Sequence, residues 1–203
     1  KNDNTAEGSA SALSGGETVI RMFLNITGTP AGVETILIKA ASGSSIYSSG
    51  GSAMNAASSI GDNLNDVNGP YITGTTMPTP NATVTVTFSE AAYSTNGGSG
   101  ALAASDFSIS MSGGTATLSS STPTSISADG NTYTLGIGLS GTANGSERLT
   151  VGTSANSIFD AQGNAASNTQ ATASAELNKV YLNDKSVPVI ASTSMGDFNE
   201  GVI

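Results

Sequence analysis

An all-β fold assembled from β-sandwich modules in tandem is what this sequence predicts, and three observations carry the prediction. Apolar residues recur at every second position in short runs, as with Val84, Val86 and Phe88 among the threonines of Thr83–Phe88; that period lines one face of a strand. The 25 glycines, set among abundant Ser, Thr and Asn, suit tight turns and two-faced strands better than helices. The chain also repeats itself: from Pro70 to Pro188 is 118 residues, and self-similarity at a fixed spacing marks a modular array.

The two copies align in detail. With Glu34 set against Glu147, Ile20, Met22, Leu24 and Ile26 fall on Tyr133, Leu135, Ile137 and Leu139, while Ile36 and Ile38 fall on Leu149 and Val151. A short turn bounded by glycine, Gly28–Gly32 or Gly141–Gly145, separates the two alternating runs in each copy, which predicts a β-hairpin. Ser45-Ile46-Tyr47 then matches Ser157-Ile158-Phe159, and Gly51 and Ala53 match Gly163 and Ala165. Leu64-Asn65-Asp66 ahead of Pro70 returns as Leu182-Asn183-Asp184 ahead of Pro188.

Residues 70–187 add a front half, with further strands expected at Thr83–Phe88, Phe107–Met111, Thr115–Leu118 and Gln170–Leu177. Short strands with turn signals about every 8–12 residues point to immunoglobulin-like sandwich modules. On this reading residues 1–69 are an incomplete module, the C-terminal part of a repeat, and 70–187 a complete one. Residues 188–203 supply the first strand of a following module or a donor strand, since Ile190, Thr193 and Met195 match Ile72, Thr75 and Met77. Ala53–Ile60 reads as a helical turn or a loop. Residues 1–16 carry neither a basic start nor an apolar stretch, so the chain is expected to be a processed form or part of a longer parent.

Composition excludes several functions. Six basic against 15 acidic residues give a net charge of −9, with no electrostatic footprint for nucleic acid or an anionic membrane. No run approaches the roughly 18 apolar residues of a membrane span. Without His or Cys, Ser-His-Asp and Cys-His catalysis and zinc sites of N/S type are ruled out within the chain. Without Trp, the aromatic platform on which sugars stack is poorly provided; of the five tyrosines, Tyr133 reads as core, and Tyr47 and Phe159 as packed loop anchors. No enzymatic activity is expected.

Calcium is the one ligand the residue types suggest, because carboxylates cluster near the module ends and Ca²⁺ takes six to eight oxygens. Asp62 and Asp66 precede one boundary, Glu176, Asn183 and Asp184 the next, and Glu90 and Asp106 stand at strand ends of the full module. The competing reading is local: Asn-Asp ahead of proline forms an Asx turn and needs no metal. Asn-x-Ser/Thr sequons occur at Asn25, Asn81 and Asn144.

The pieces Val84-Thr85-Val86-Thr87-Phe88-Ser89-Glu90, Ala104-Ser105-Asp106-Phe107, Ile158-Phe159-Asp160-Ala161-Gln162-Gly163-Asn164 and Leu182-Asn183-Asp184 before Pro188 come in this order within one period. In them the chain resembles the bacterial Ig-like and cadherin-like repeats of large extracellular surface proteins. The resemblance implies sandwiches strung end to end in a cell-surface or secreted protein: an adhesin, a surface layer or a filament. A structural role as fibre, surface layer or stalk is therefore expected, the alternative being an adhesin segment that binds a surface through its loops.

Two ways of completing the first module remain open: further modules of the same polypeptide, or C-terminal strands of another copy added at an open edge. Val19, Phe23 and Leu37 lie on the strand face opposite Ile20, Met22, Leu24, Ile36 and Ile38, where the second copy has Thr132, Gly136 and Thr150. A strand apolar on both faces is usually covered on both. Val19, Phe23 and Leu37, with Ile190, Val202 and Ile203 of the C-terminal segment, are thus the candidate interface residues.

Overall fold

The computed structural model describes residues 15–170 and 175–193. The chain falls into two compact units, residues 1–68 and 69–203. Both are built from antiparallel strands; the one helical element among the described residues is a single 3-10 turn, Ala104–Asp106.

Among the described residues the second unit holds nine strands. β3 (Ile72–Thr76), β4 (Thr83–Phe88), β7 (Ser125–Asp129) and β8 (Thr132–Gly136) form one sheet in the order β3-β4-β8-β7. β5 (Phe107–Ser112), β10 (Arg148–Thr153) and β11 (Lys179–Tyr181) form a second, in the order β11-β10-β5. β6 (Thr117–Leu118) and β9 (Leu139–Ser140) add a short pair.

The two larger sheets close on one core in a sandwich-like arrangement. Val84, Val86, Phe88, Tyr133 and Leu135 come from the first, and Phe107, Ile109, Leu149 and Val151 from the second. β4 shows the cause at sequence level: its apolar residues are buried and its threonines half-buried, in strict alternation. The threonines pair across the outer face, Thr85 with Thr134 and Thr87 with Thr132. Phe88 meets Tyr133 edge-on at 5.6 Å and Phe107 at 6.1 Å, tying the sheets together. Burial of each such side chain stabilises by about 1.5–3 kcal/mol.

The first unit is smaller. β1 (Thr35–Lys39) pairs antiparallel with β2 (Ser59–Asn63), from Thr35 opposite Asn63 to Lys39 opposite Ser59. β10 pairs with β11 in the corresponding register, Arg148 opposite Tyr181 and Leu149 opposite Val180. The loops correspond as well. Leu64 N–H reaches Glu34 O at 2.8 Å as Leu182 N–H reaches Glu147 O at 3.0 Å, and Met54 N–H reaches Ile46 O at 2.8 Å as Ala166 N–H reaches Ile158 O at 2.8 Å. Tyr47 bridges Ala53 as Phe159 bridges Ala165.

Three sequence expectations are corrected. The paired runs are not hairpins: β8 and β10 lie in different sheets, so the Gly141–Gly145 link crosses the core, and in the first unit residues 20–26 form no strand while β1 pairs with β2 instead. Alternation fixes which face of a strand is buried but not which strand lies beside it. The stretch Ala53–Ile60 is neither helix nor plain loop, since it runs into β2. The strand placed at Gln170–Leu177 falls partly outside the described residues, and residues 175–178 form a turn ahead of β11.

Candidate interaction surface

The same sequence positions meet opposite environments in the two units. Leu135, Val151 and Ile158 are fully buried, whereas their counterparts Met22, Ile38 and Ile46 are 51%, 42% and 48% exposed. In the second unit this face is covered by the front half, residues 70–131, whose Val84, Val86, Phe88, Leu102, Phe107 and Ile109 pack on it. β5 also occupies the outer edge of β10, pairing Met111 with Leu149 and Ile109 with Val151. Among the described residues β1 has β2 as its only sheet neighbour. Ile20, Met22, Leu24, Ile38 and Ile46 are all exposed, and the edge of β1 away from β2 has no ladder partner among the described residues. Tyr47, expected as packing, is exposed on the same unit.

A buried carboxylate marks what the cover contributes. Glu147 is fully buried and accepts backbone N–H groups from Thr115 at 2.7 Å, Ala116 at 2.9 Å and Asn144 at 3.0 Å. Burial opposes its ionisation, but these backbone donors outweigh it and lower its pKa from 4.5 to about 2. Glu34, its counterpart, is served from its own turn: it accepts Ala31 N–H at 2.9 Å, which heads the causes holding its pKa below the usual carboxylate value. The segment ahead of β6 that supplies Thr115 and Ala116 to Glu147 has no equivalent beside Glu34 among the described residues. Sequence reading used the Gly-x-Glu triplets Gly32–Glu34 and Gly145–Glu147 only to align the two copies.

A second polar tie joins the front and back halves. Asn81, buried with φ 73°, donates its amide to Asn183 O at 2.7 Å, and its Oδ1 accepts Asn183 N–H at 2.9 Å and Asn183 Nδ2–H at 2.8 Å. This closes the sequon at Asn81. Asn144, another sequon, is half-buried in the Glu147 turn, and Asn25 is exposed.

The candidate calcium residues have local partners. Asp62 accepts the N–H of Asn63, Asp66 that of Asn68, and Asp184 both the N–H and hydroxyl of Ser186; the Ser186 donors lower the Asp184 pKa. Asp66 and Asp184 thus make Asx turns. Asp106 accepts Ala103 N–H at 2.8 Å and closes the 3-10 turn. Glu176 pairs with Arg148 and Lys179, and Asn183 is taken by Asn81. Glu90 is not brought beside Asp106; a carboxylate oxygen of Asp160 lies within 4.8 Å of it instead. Asp160 itself accepts the backbone and side-chain N–H of Asn164.

Of the candidate interface residues, Val19, Phe23, Leu37 and Ile190 are all exposed, while Val202 and Ile203 lie outside the described residues. No helix among the described residues is long and apolar enough to cross a membrane. Comparison with protein-family models, with curated proteins and with solved structures found no match to the chain.

Proposed function

We propose that this chain is a structural, non-catalytic segment of an extracellular repeat protein, in which immunoglobulin-like sandwiches joined end to end make a fibre, surface layer or stalk. The observation that carries the reading is the shared register of β1–β2 and β10–β11, with the matching loop hydrogen bonds around them. Two stretches of one chain that fold alike locally are copies of one building unit, and stacking such units is how repeat proteins gain length. Mechanical resistance follows from the antiparallel ladders and the shared core of the second unit.

Force spectroscopy on the full chain tests it. Unfolding of one module releases up to about 400 Å of chain, at roughly 3.4 Å for each of the 118 residues in a period. One such step per complete module supports the reading; gradual extension without a distinct step contradicts it.

A further inference from the structure

The segment from Pro188 onward repeats the start of the front half that covers the second unit's core. At 118 residues' distance, Pro188, Ile190, Thr193, Asn199 and Val202 correspond to Pro70, Ile72, Thr75, Asn81 and Val84. Each of the last four does something definite in the second unit. Ile72 and Val84 are core residues. The Thr75 hydroxyl donates to Leu177 O at 2.7 Å, and Asn81 makes the amide tie to Asn183. The receiving residues, Leu177 and Asn183, correspond to Ser59 and Asn65 of the first unit. Ile190, by contrast, is 84% exposed where Ile72 is 2% exposed.

Donor and acceptor are therefore both present in one sequence, each with exposed apolar residues among those described. Resting on the modular reading above, we propose that residues 188–203 of a second copy dock on the first unit of this one, linking copies head to tail. Ile190 takes the place Ile72 holds in the second unit. Asn199 ties to Asn65 as Asn81 ties to Asn183. Val84 pairs with Leu135 in the β4–β8 ladder, so Val202 pairs with Met22. Residues 20–26, which have the alternating apolar pattern of β8 but no strand geometry, become a strand once a neighbour supplies the ladder. Strand addition of this kind joins main-chain hydrogen bonds to pockets for alternate side chains, and a head-to-tail contact that does not close on itself grows into a filament.

Sedimentation velocity of the full chain over a range of concentrations tests this. Ile190 lies outside the folded core of its own copy, so its replacement leaves that core intact. Wild type is expected to form concentration-dependent linear oligomers, Ile190→Asp and Asn199→Ala to weaken association tenfold or more, and Ile190→Val to restore it. A synthetic peptide of residues 188–203 should shorten wild-type oligomers by occupying the acceptor. Oligomers unaffected by Ile190→Asp and by the peptide, or a chain monomeric throughout, overturn the proposal. In either case a retained single-module unfolding step leaves the modular reading standing, whereas loss of that step removes the reading itself.

Discussion

The carboxylate of Glu147, at the start of β10, accepts the backbone N–H of Ala116 at 2.9 Å from the opposite half of its module. With the bonds from Thr115 and Asn144, one acidic side chain satisfies donors that the core would otherwise strand. Glu147→Ala leaves these N–H groups without a partner and is expected to destabilise the second unit by about 2–4 kcal/mol, read as a lower denaturation midpoint.

The same group predicts an acid response. Its folded pKa of about 2 lies below the unfolded value of 4.5, so the unfolded state binds the proton more tightly. The Glu147 contribution is fully present above about pH 5 and is lost as pH falls from there toward 2. Glu147→Gln should flatten this part of the stability profile. An unchanged slope between pH 5 and pH 2 would show that other carboxylates carry it.

Asn81 combines a left-handed backbone with its three bonds to Asn183. Asn81→Gly keeps the backbone and loses the bonds; Asn81→Ala loses both and should be the more damaging, by about 2–3 kcal/mol in all. Urea denaturation of the two variants separates the contributions. The same closure predicts that a glycosylating host leaves Asn81 of the folded chain unmodified, which mass spectrometry of peptic peptides that separate Asn81 from Asn144 would check.

Gly145 has φ 79°, and a Cβ there would stand 3.2 Å from the Asp184 Cβ; Gly32 has φ 75° and meets Asp66 at the same distance. Gly145→Ala should destabilise the second unit by about 1–2 kcal/mol. Gly74→Ala, with ordinary φ and nothing within 4 Å, should be neutral within about 0.5 kcal/mol. Equal thermal midpoints for the two variants would contradict the turn's role.

Much of the second unit was legible in its period of two. Val84, Val86, Phe88, Tyr133 and Leu135 are core residues as alternation required, and the repeat aligned the residues that take corresponding places in the two units, though not their strand partners. Strand partners were not legible, because β8 and β10 point apolar residues at one core from different sheets, and a shared core looks the same in sequence as a shared sheet. β2, Ser59-Ile60-Gly61-Asp62-Asn63, is exposed throughout and offers no alternation to find. Glu147 was hidden for another reason: a buried acid satisfied by main-chain donors leaves no second charged residue to point to it. Of the first unit's exposed apolar residues, Val19, Phe23 and Leu37 were visible in the sequence, whereas the exposure of Met22, Ile38 and Ile46 emerged only from comparison with their buried counterparts.

The most direct test of the account is an electron cryomicroscopy map of the native assembly, read at the first unit. The account predicts copies joined end to end, with residues 188–203 of one copy paired as a strand along residues 20–26 of the next and covering Met22. Separate particles in which Met22 stays open to solvent would contradict it.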